Sequence, residues 1–268
     1  MQKSTNITAK FFNHYTGYTW SNEWYVMYHD LFGRITKGKG EINHLLSVGG
    51  GDHVLFALAH LGAVERLTHV DISSYSMVGA MAKFAVILEG TFKDWYAFSF
   101  NNCTESFVDR CLENRGFKPL VDRLKKGLGE GKKGMRDRGD RLPEDMFYGL
   151  AHSDGEPLQT NRMAFFLHEH IYDTLKKRLA KIKRYDLFIH DIWTLTLTEQ
   201  PDLALLSNAY HNDNQPHPGD DFLVRKGGYI IYTECDGGRW FANNPTWKLV
   251  GGSKRSGSWD GKLYRRTA

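Results

Sequence analysis

Three consecutive glycines, Gly49-Gly50-Gly51, follow directly on the short apolar run His44-Leu45-Leu46-Ser47-Val48 and lead straight into residues of helical periodicity. An apolar run of this length, ended by glycine, is a buried strand closing in a tight turn. Asp52 to Leu61 then carries apolar residues at helical spacing as far as Gly62, a residue suited to ending a helix. Arg66 to Ile72 reads as a second strand with Asp71 at its end. Ser73 to Glu89 reads as a second helix, with Ser73 or Ser74 capping its start and Met77, Met81, Phe84, Val86 and Leu88 as its apolar surface. Strand, glycine turn, helix, acid-tipped strand and helix form the opening half of a Rossmann-like sheet.

This order has a chemical meaning. Glycines after a buried strand let a ligand approach the backbone, and the helix that follows directs its free N–H groups at polar or anionic atoms. Asp71, about twenty residues further on, can accept hydrogen bonds from both hydroxyls of a ribose. Together these features describe a nucleoside-binding cleft. The dinucleotide pattern G-x-G-x-x-G is not met, because the sixth position counted from Gly49 is Val54. An NAD-dependent oxidoreductase is therefore disfavoured.

The remaining chain extends the α/β reading to a doubly wound, mostly parallel sheet. Residues 1–40 hold Phe11, Phe12, Tyr15, Tyr18, Trp20, Trp24, Tyr25 and Tyr28, and are expected as one or two short helices forming an N-terminal lid. Tyr15 and Tyr18 are its candidate catalytic residues. The sheet domain then spans 41–268, with an insertion at about 118–159 whose Lys118 to Leu142 portion is rich in Gly, Lys and Arg and is expected to be exposed. Asp94 to Phe100 reads as a third strand or a helix end, Thr104 to Asn114 as a helix, and Thr160 to Ile182 as a long amphipathic helix. Tyr185 to Asp191 reads as a central strand, Asp202 to Asn208 as a short helix, and Tyr229 to Glu234 as another strand. Leu249-Val250 and Leu263 to Arg265 suggest a closing hairpin. Asp191, with His190, Trp193 and Thr194 beside it, is the catalytic candidate of the second half; capping the next loop is its alternative role.

Composition excludes several classes. The net charge of +4 is small and local, and no nucleic-acid motif accompanies it, so no nucleic-acid partner is expected. No apolar stretch approaches the roughly 18 residues of a membrane span. Three cysteines, Cys103, Cys111 and Cys235, lack CxxC spacing, which fits a reducing cytoplasm and argues against a structural zinc site. Among twelve histidines, His168 and His170 face different directions on a helix and His211 and His217 lie in a polar loop, so no metal is expected. No G-x-S-x-G turn is present.

The block Val48-Gly49-Gly50-Gly51 followed by Val70-Asp71-Ile72-Ser73 resembles motif I of class I S-adenosylmethionine-dependent enzymes. It departs from that motif at Ser47, where an acid is usual, and at His53, which replaces the third spaced glycine. The turn Gly50-Gly51-Asp52-His53, with Asp71-Ile72-Ser73-Ser74, is similar to that of the S-adenosylmethionine:diacylglycerol 3-amino-3-carboxypropyltransferase family over about fifty residues. The resemblance implies a class I methyltransferase-like fold with S-adenosylmethionine held by Ser47, Gly49, Gly50, Gly51, Asp52, His53, Asp71, Ile72 and Ser73. Asp52 would hold the cofactor's ammonium group and Asp71 its ribose. The implied activity is transfer of the aminocarboxypropyl group to a small molecule with release of methylthioadenosine. The lipid acceptor is not carried over, because the chain is shorter and its middle differs. Methyl transfer stays open, as does a cyclase or lyase acting on S-adenosylmethionine itself, and so does a nucleoside-binding regulatory protein without catalysis. The missing Asn/Asp-Pro-Pro-Tyr tetrapeptide after the Asp191 strand argues against base or amide N-methylation. On this reading Asp71→Ala weakens binding of S-adenosylmethionine by about 1.5 to 3 kcal/mol for each charge-assisted hydrogen bond lost; unchanged affinity in titration calorimetry would remove the site.

Overall fold

Strands buried on both faces need neighbours on both edges and cover above and below. Strands β2 (His44–Val48) and β3 (Arg66–Asp71) meet that condition, with every residue of both buried or nearly so. In the computed structural model the described residues are 4–9, 25–38, 40–62, 64–71, 73–99, 102–126, 168–192, 195–207, 224–235, 241, 244–253 and 259–267. Their strands are β1 (Ser4–Ala9), β2, β3, β4 (Arg184–Ile189), β5 (Leu203–Ser207), β6 (Tyr229–Cys235), β7 (Trp247–Ser253) and β8 (Trp259–Arg266). They form one eight-stranded sheet in the order β1-β4-β3-β2-β5-β6-β8-β7.

The strands from β1 to β6 in that order pair in parallel, and β8 runs antiparallel between β6 and β7. From β2 the chain steps outward through β3 to β4, then returns to place β5 on the other side of β2. This reversal is a topological switch point, and it opens a crevice at the carboxyl ends of β2 and β5. The sheet is thus doubly wound and Rossmann-like, as the sequence leads one to expect. The closing hairpin is present as β7 and β8, with Leu249 opposite Tyr264.

The described helices are α1 (Tyr25–Lys37), α2 (Asp52–His60), α3 (Ser74–Glu89), α4 (Phe92–Ser99), α5 (Glu105–Asn114) and α6 (Glu169–Lys181), and residues 118–126 are also helical. They share one core with Leu45, Leu67, Leu187, Leu205 and Ile231 of the sheet. The opposite face packs Leu46, Val70, Ala204, Leu206 and Ile230 against Ile192, Leu195, Phe241 and Trp247. Alternate residues of each strand therefore serve opposite cores, the period of two that strand geometry imposes. Among the described residues no helix is long and apolar enough to cross a membrane.

Several local expectations are corrected. Of the two readings of Asp94 to Phe100, the helical one holds as far as the described residues go: Asp94 to Ser99 belongs to α4, whose Trp95, Phe98 and Ser99 face inward one helical turn apart. Asp202 to Asn208 is not a short helix, because Leu203 to Ser207 is β5. The preceding Asp202 accepts the N–H groups of Asn43 and His44 at 2.7 and 2.8 Å, which fastens β5 alongside β2. In the segment expected to be short helices, Ser4–Ala9 is instead an edge strand on β4. Helix α1 buries Met27, Tyr28, Leu31, Phe32 and Ile35 in the main core. The basic stretch begins as a helix that exposes Pro119, Asp122, Arg123 and Lys126, as expected, but buries Leu120, Val121 and Leu124 at helical spacing. Its remainder lies outside the described residues, as does the portion of the expected long helix before His168.

The placement of β5 has a direct test. Leu205 is fully buried in the strand that borders the switch point, so Leu205→Ala is expected to destabilise the fold by about 2 to 5 kcal/mol. A urea midpoint within error of the parent would mean that β5 is not a central strand.

Candidate functional site

The carboxyl end of β2 passes into α2 through two residues in the left-handed region, Gly49 at φ 106° and Gly51 at φ 92°. Glycine is required there by conformation. At Gly51 it is required by space as well, since a Cβ would lie 2.9 Å from the Cβ of Ala80 on α3. Gly51 is also the N-cap of α2 and supplies no side chain to its first N–H groups. In contrast, Ser73 caps α3 by accepting from Ser76 N–H, and Thr104 caps α5 by accepting from Phe107 N–H. The start of α2 thus has no side-chain cap where it leaves the carboxyl end of β2, and a helix start of this kind suits an anionic or polar ligand group.

The underside of this turn is polar and closed. Asp52 and Lys83 are both buried, at 2% and 0% exposure. Lys83 Nζ donates to the Asp52 carboxylate and, at 2.9 Å, to the carbonyl of Gly50. Burial pulls the Lys83 ammonium below its ordinary pKa, and the Asp52 charge opposes that pull. The resemblance implies that Asp52 holds a cofactor ammonium, but the ammonium that it holds here is that of Lys83. His53 packs its ring on Tyr28, with Nδ1 3.2 Å from the Val48 carbonyl. Ser47 stands in register with His69 of β3. Both are fully buried, and Ser47 Oγ and the two ring nitrogens of His69 have no hydrogen-bond partner among the described residues.

Asp71 ends β3 at the same rim, 9% exposed. Its Oδ1 accepts the Ser73 N–H at 2.7 Å, which fixes the rotation of the carboxylate. Its own carbonyl accepts the His190 N–H at 3.0 Å. Asp191 follows His190, half-buried, at the end of β4. Because β4 lies beyond β3 from β2, Asp191 stands beside Asp71 and not at the β2–β5 crevice. Gly49, Gly50, Gly51, Ser73 and Asp71 are therefore brought together at one edge, with Ser47, Asp52 and His53 beneath. Ile72, Tyr15 and Tyr18 lie outside the described residues, as do Trp193, Thr194, His211 and His217. Among the described residues no three His, Cys, Asp or Glu side chains are grouped as metal ligands.

Sequence reasoning missed two elements. Lys83 sits in the middle of an apolar helix, and a lone lysine flanked by Met81, Ala82, Phe84 and Ala85 was the available signal of a buried charge. The end of β5 was hidden by reading its segment as helical; the unbroken run Leu203-Ala204-Leu205-Leu206 was the sign of a strand buried on both faces. The β5–β6 register shifts between Leu205 and Ser207, so β5 is irregular where it meets the crevice.

No family profile and no curated protein matches the sequence. Solved structures that superpose on the chain include yhhF of Escherichia coli, called a methyltransferase by assignment, at 10% identity and TM-score 0.39 over 90% of this chain and 84% of that one. The N-methyltransferase NodS of Bradyrhizobium japonicum WM9 superposes at 11% identity and TM-score 0.35, covering 90% and 94% of the two chains. The O-methyltransferase TomG of Streptomyces achromogenes does so at 8% identity and TM-score 0.32, covering 91% and 79%. At such scores these likenesses bear no weight; the fold rests on strand order and register.

Burial around the site also sets protonation. His69 is held down to about 3 by burial, with His53 and Lys83 adding to the shift. His44, whose Nε2 is 2.7 Å from Thr68 Oγ1, is lowered to about 4, first by burial and then by Arg66, against the pull of Asp202, Asp186 and Glu199. Both rings stay neutral in the folded chain where unfolded histidine takes up a proton, so the unfolded state gains protons as pH falls below 6.5. Their burial therefore lowers folding stability progressively from pH 6.5 to about 4 for His44 and to about 3 for His69, by at most roughly 1.4 kcal/mol per pH unit for each ring. Above that window these rings add no pH dependence. Urea unfolding across the range is expected to show this slope, and His69→Leu should flatten it; an equally steep variant would dismiss His69 as a contributor.

Proposed function

We propose that this chain is a transferase that uses S-adenosylmethionine, moving its methyl group to a small molecule. The observation that carries this reading is the meeting, at the switch point of a doubly wound sheet, of an uncapped glycine-backed helix start with the carboxylate of Asp71 on the next strand. The residues present fit the cofactor. Asp71 suits a ribose diol, and the α2 N–H groups suit a carboxylate. A side chain at Gly51 would strike Ala80 and Phe84 of α3, so the turn is confined to glycine. When bound, S-adenosylmethionine supplies a carbon already activated by a sulfonium, so the protein's task is orientation and exclusion of water.

Each rim residue then has a part. Asp71, its rotation fixed by the Ser73 N–H, orients the sugar. Asp191, one strand further out, is proposed to face the base side of the nucleoside. The acceptor would enter over the end of β5. Tyr15 and Tyr18 remain candidates for covering the site. With the Asp52 carboxylate engaged by Lys83, the turn loses its argument for aminocarboxypropyl transfer, which stands as the second reading on the resemblance of Gly50-Gly51-Asp52-His53 alone. Chromatography of the nucleoside product, after incubation with labelled S-adenosylmethionine and a small-molecule extract, separates the two: S-adenosylhomocysteine is expected. Methylthioadenosine would instead establish the second reading or a lyase, and a failure to bind S-adenosylmethionine in calorimetry would defeat both.

A further inference from the structure

We infer that Lys83 is a positioning residue that turns the Gly51 N–H outward, towards the crevice, by holding the Gly50 carbonyl inward. This deepens the cofactor reading and rests on it. A trans peptide is planar, so the carbonyl of one residue and the N–H of the next point in opposite directions. Lys83 Nζ approaches from α3, beneath the turn, and takes the Gly50 carbonyl at 2.9 Å. The N–H of Gly51 accordingly points away from Lys83, and it has no acceptor among the described residues.

The flipped peptide is closed off by chemistry. An ammonium carries three donors and no acceptor, so a flip would give up the bond from Lys83 Nζ to the Gly50 carbonyl and set an N–H against the same positive donor. Glycine's freedom at Gly49 and Gly51 would otherwise permit such a flip, since both already sit at positive φ. Asp52 completes the device. Its carboxylate, immediately after the turn and buried with Lys83, gives the ammonium a counter-charge and ties α3 to the first residue of α2. Stability alone is a poor account of the pair, because a buried ion pair is commonly matched or bettered by apolar residues of the same volume. Orientation of one peptide is something that apolar residues would not provide.

The double variant Asp52→Asn/Lys83→Met removes the clamp without stranding a buried charge. It is expected to unfold cooperatively within a few degrees of the parent, while its Kd for S-adenosylmethionine in calorimetry rises about tenfold, the worth of one hydrogen bond to a charged group. In parent protein labelled with nitrogen-15, the Gly51 amide resonance should shift when S-adenosylmethionine is added, and in the variant it should not. Equal affinity in parent and variant would overturn the inference, as would a motionless Gly51 resonance in a parent that binds. The latter needs no variant and decides the matter should the double variant fail to fold. A parent that does not bind S-adenosylmethionine sinks the cofactor reading instead. The clamp is then judged on ligand-free amide exchange at Gly51, which should be faster in the parent than in the variant; equal rates would overturn it.

Discussion

The turn from β2 into α2 depends on a support from below. Two left-handed glycines would leave the loop free to choose among conformations, and burial alone could not choose for it. The Lys83 ammonium, lodged between the Asp52 carboxylate and the Gly50 carbonyl, removes that choice. It does so with a group that is costly to bury and is therefore held only where its partners are fixed. The helix start, the strand end and α3 become a single unit at the place where the sheet reverses direction.

The sheet supplies the other half of the arrangement. Reversal of strand order after β4 leaves the ends of β2 and β5 without a crossing connection, and the acid that ends β3 stands at the same edge. Polar groups accumulate around this edge, and they divide into two kinds. Those at the strand and helix ends, the start of α2 and the Asp71 carboxylate, meet at the switch point. Those beneath it, Ser47, His53, His69, Asp52 and Lys83, are closed off from water. The first kind defines what can bind, and the second keeps the loop in the shape that binding requires.

The sequence was a good guide where the signal was local. His44–Val48 is a strand to the residue, α2 begins at Asp52, Ser73 caps α3, and the helix read over Thr104 to Asn114 is α5. Each of these follows from periodicity, a glycine or a capping hydroxyl within a few residues. The failures share a different cause. Leu203–Ser207 has no alternation to distinguish strand from helix, because a central parallel strand is buried on both faces, and only its place between β2 and β6 decides. The edge strand Ser4–Ala9 exists through pairing with β4, 180 residues away in sequence. Asp191 was rightly set at a strand end, but which strand borders the crevice is a matter of order in the sheet.

What the chain's own sequence determined is the nucleoside-cleft pattern: glycines where backbone must come close and turn left-handed, and an acid one strand away. Those requirements are local, so residue type reveals them. Tertiary structure alone decided the fate of the charges. Asp52 read as a ligand group and became the partner of a lysine 31 positions further along, because whether a carboxylate faces solvent or another side chain depends on what a distant helix brings beneath it.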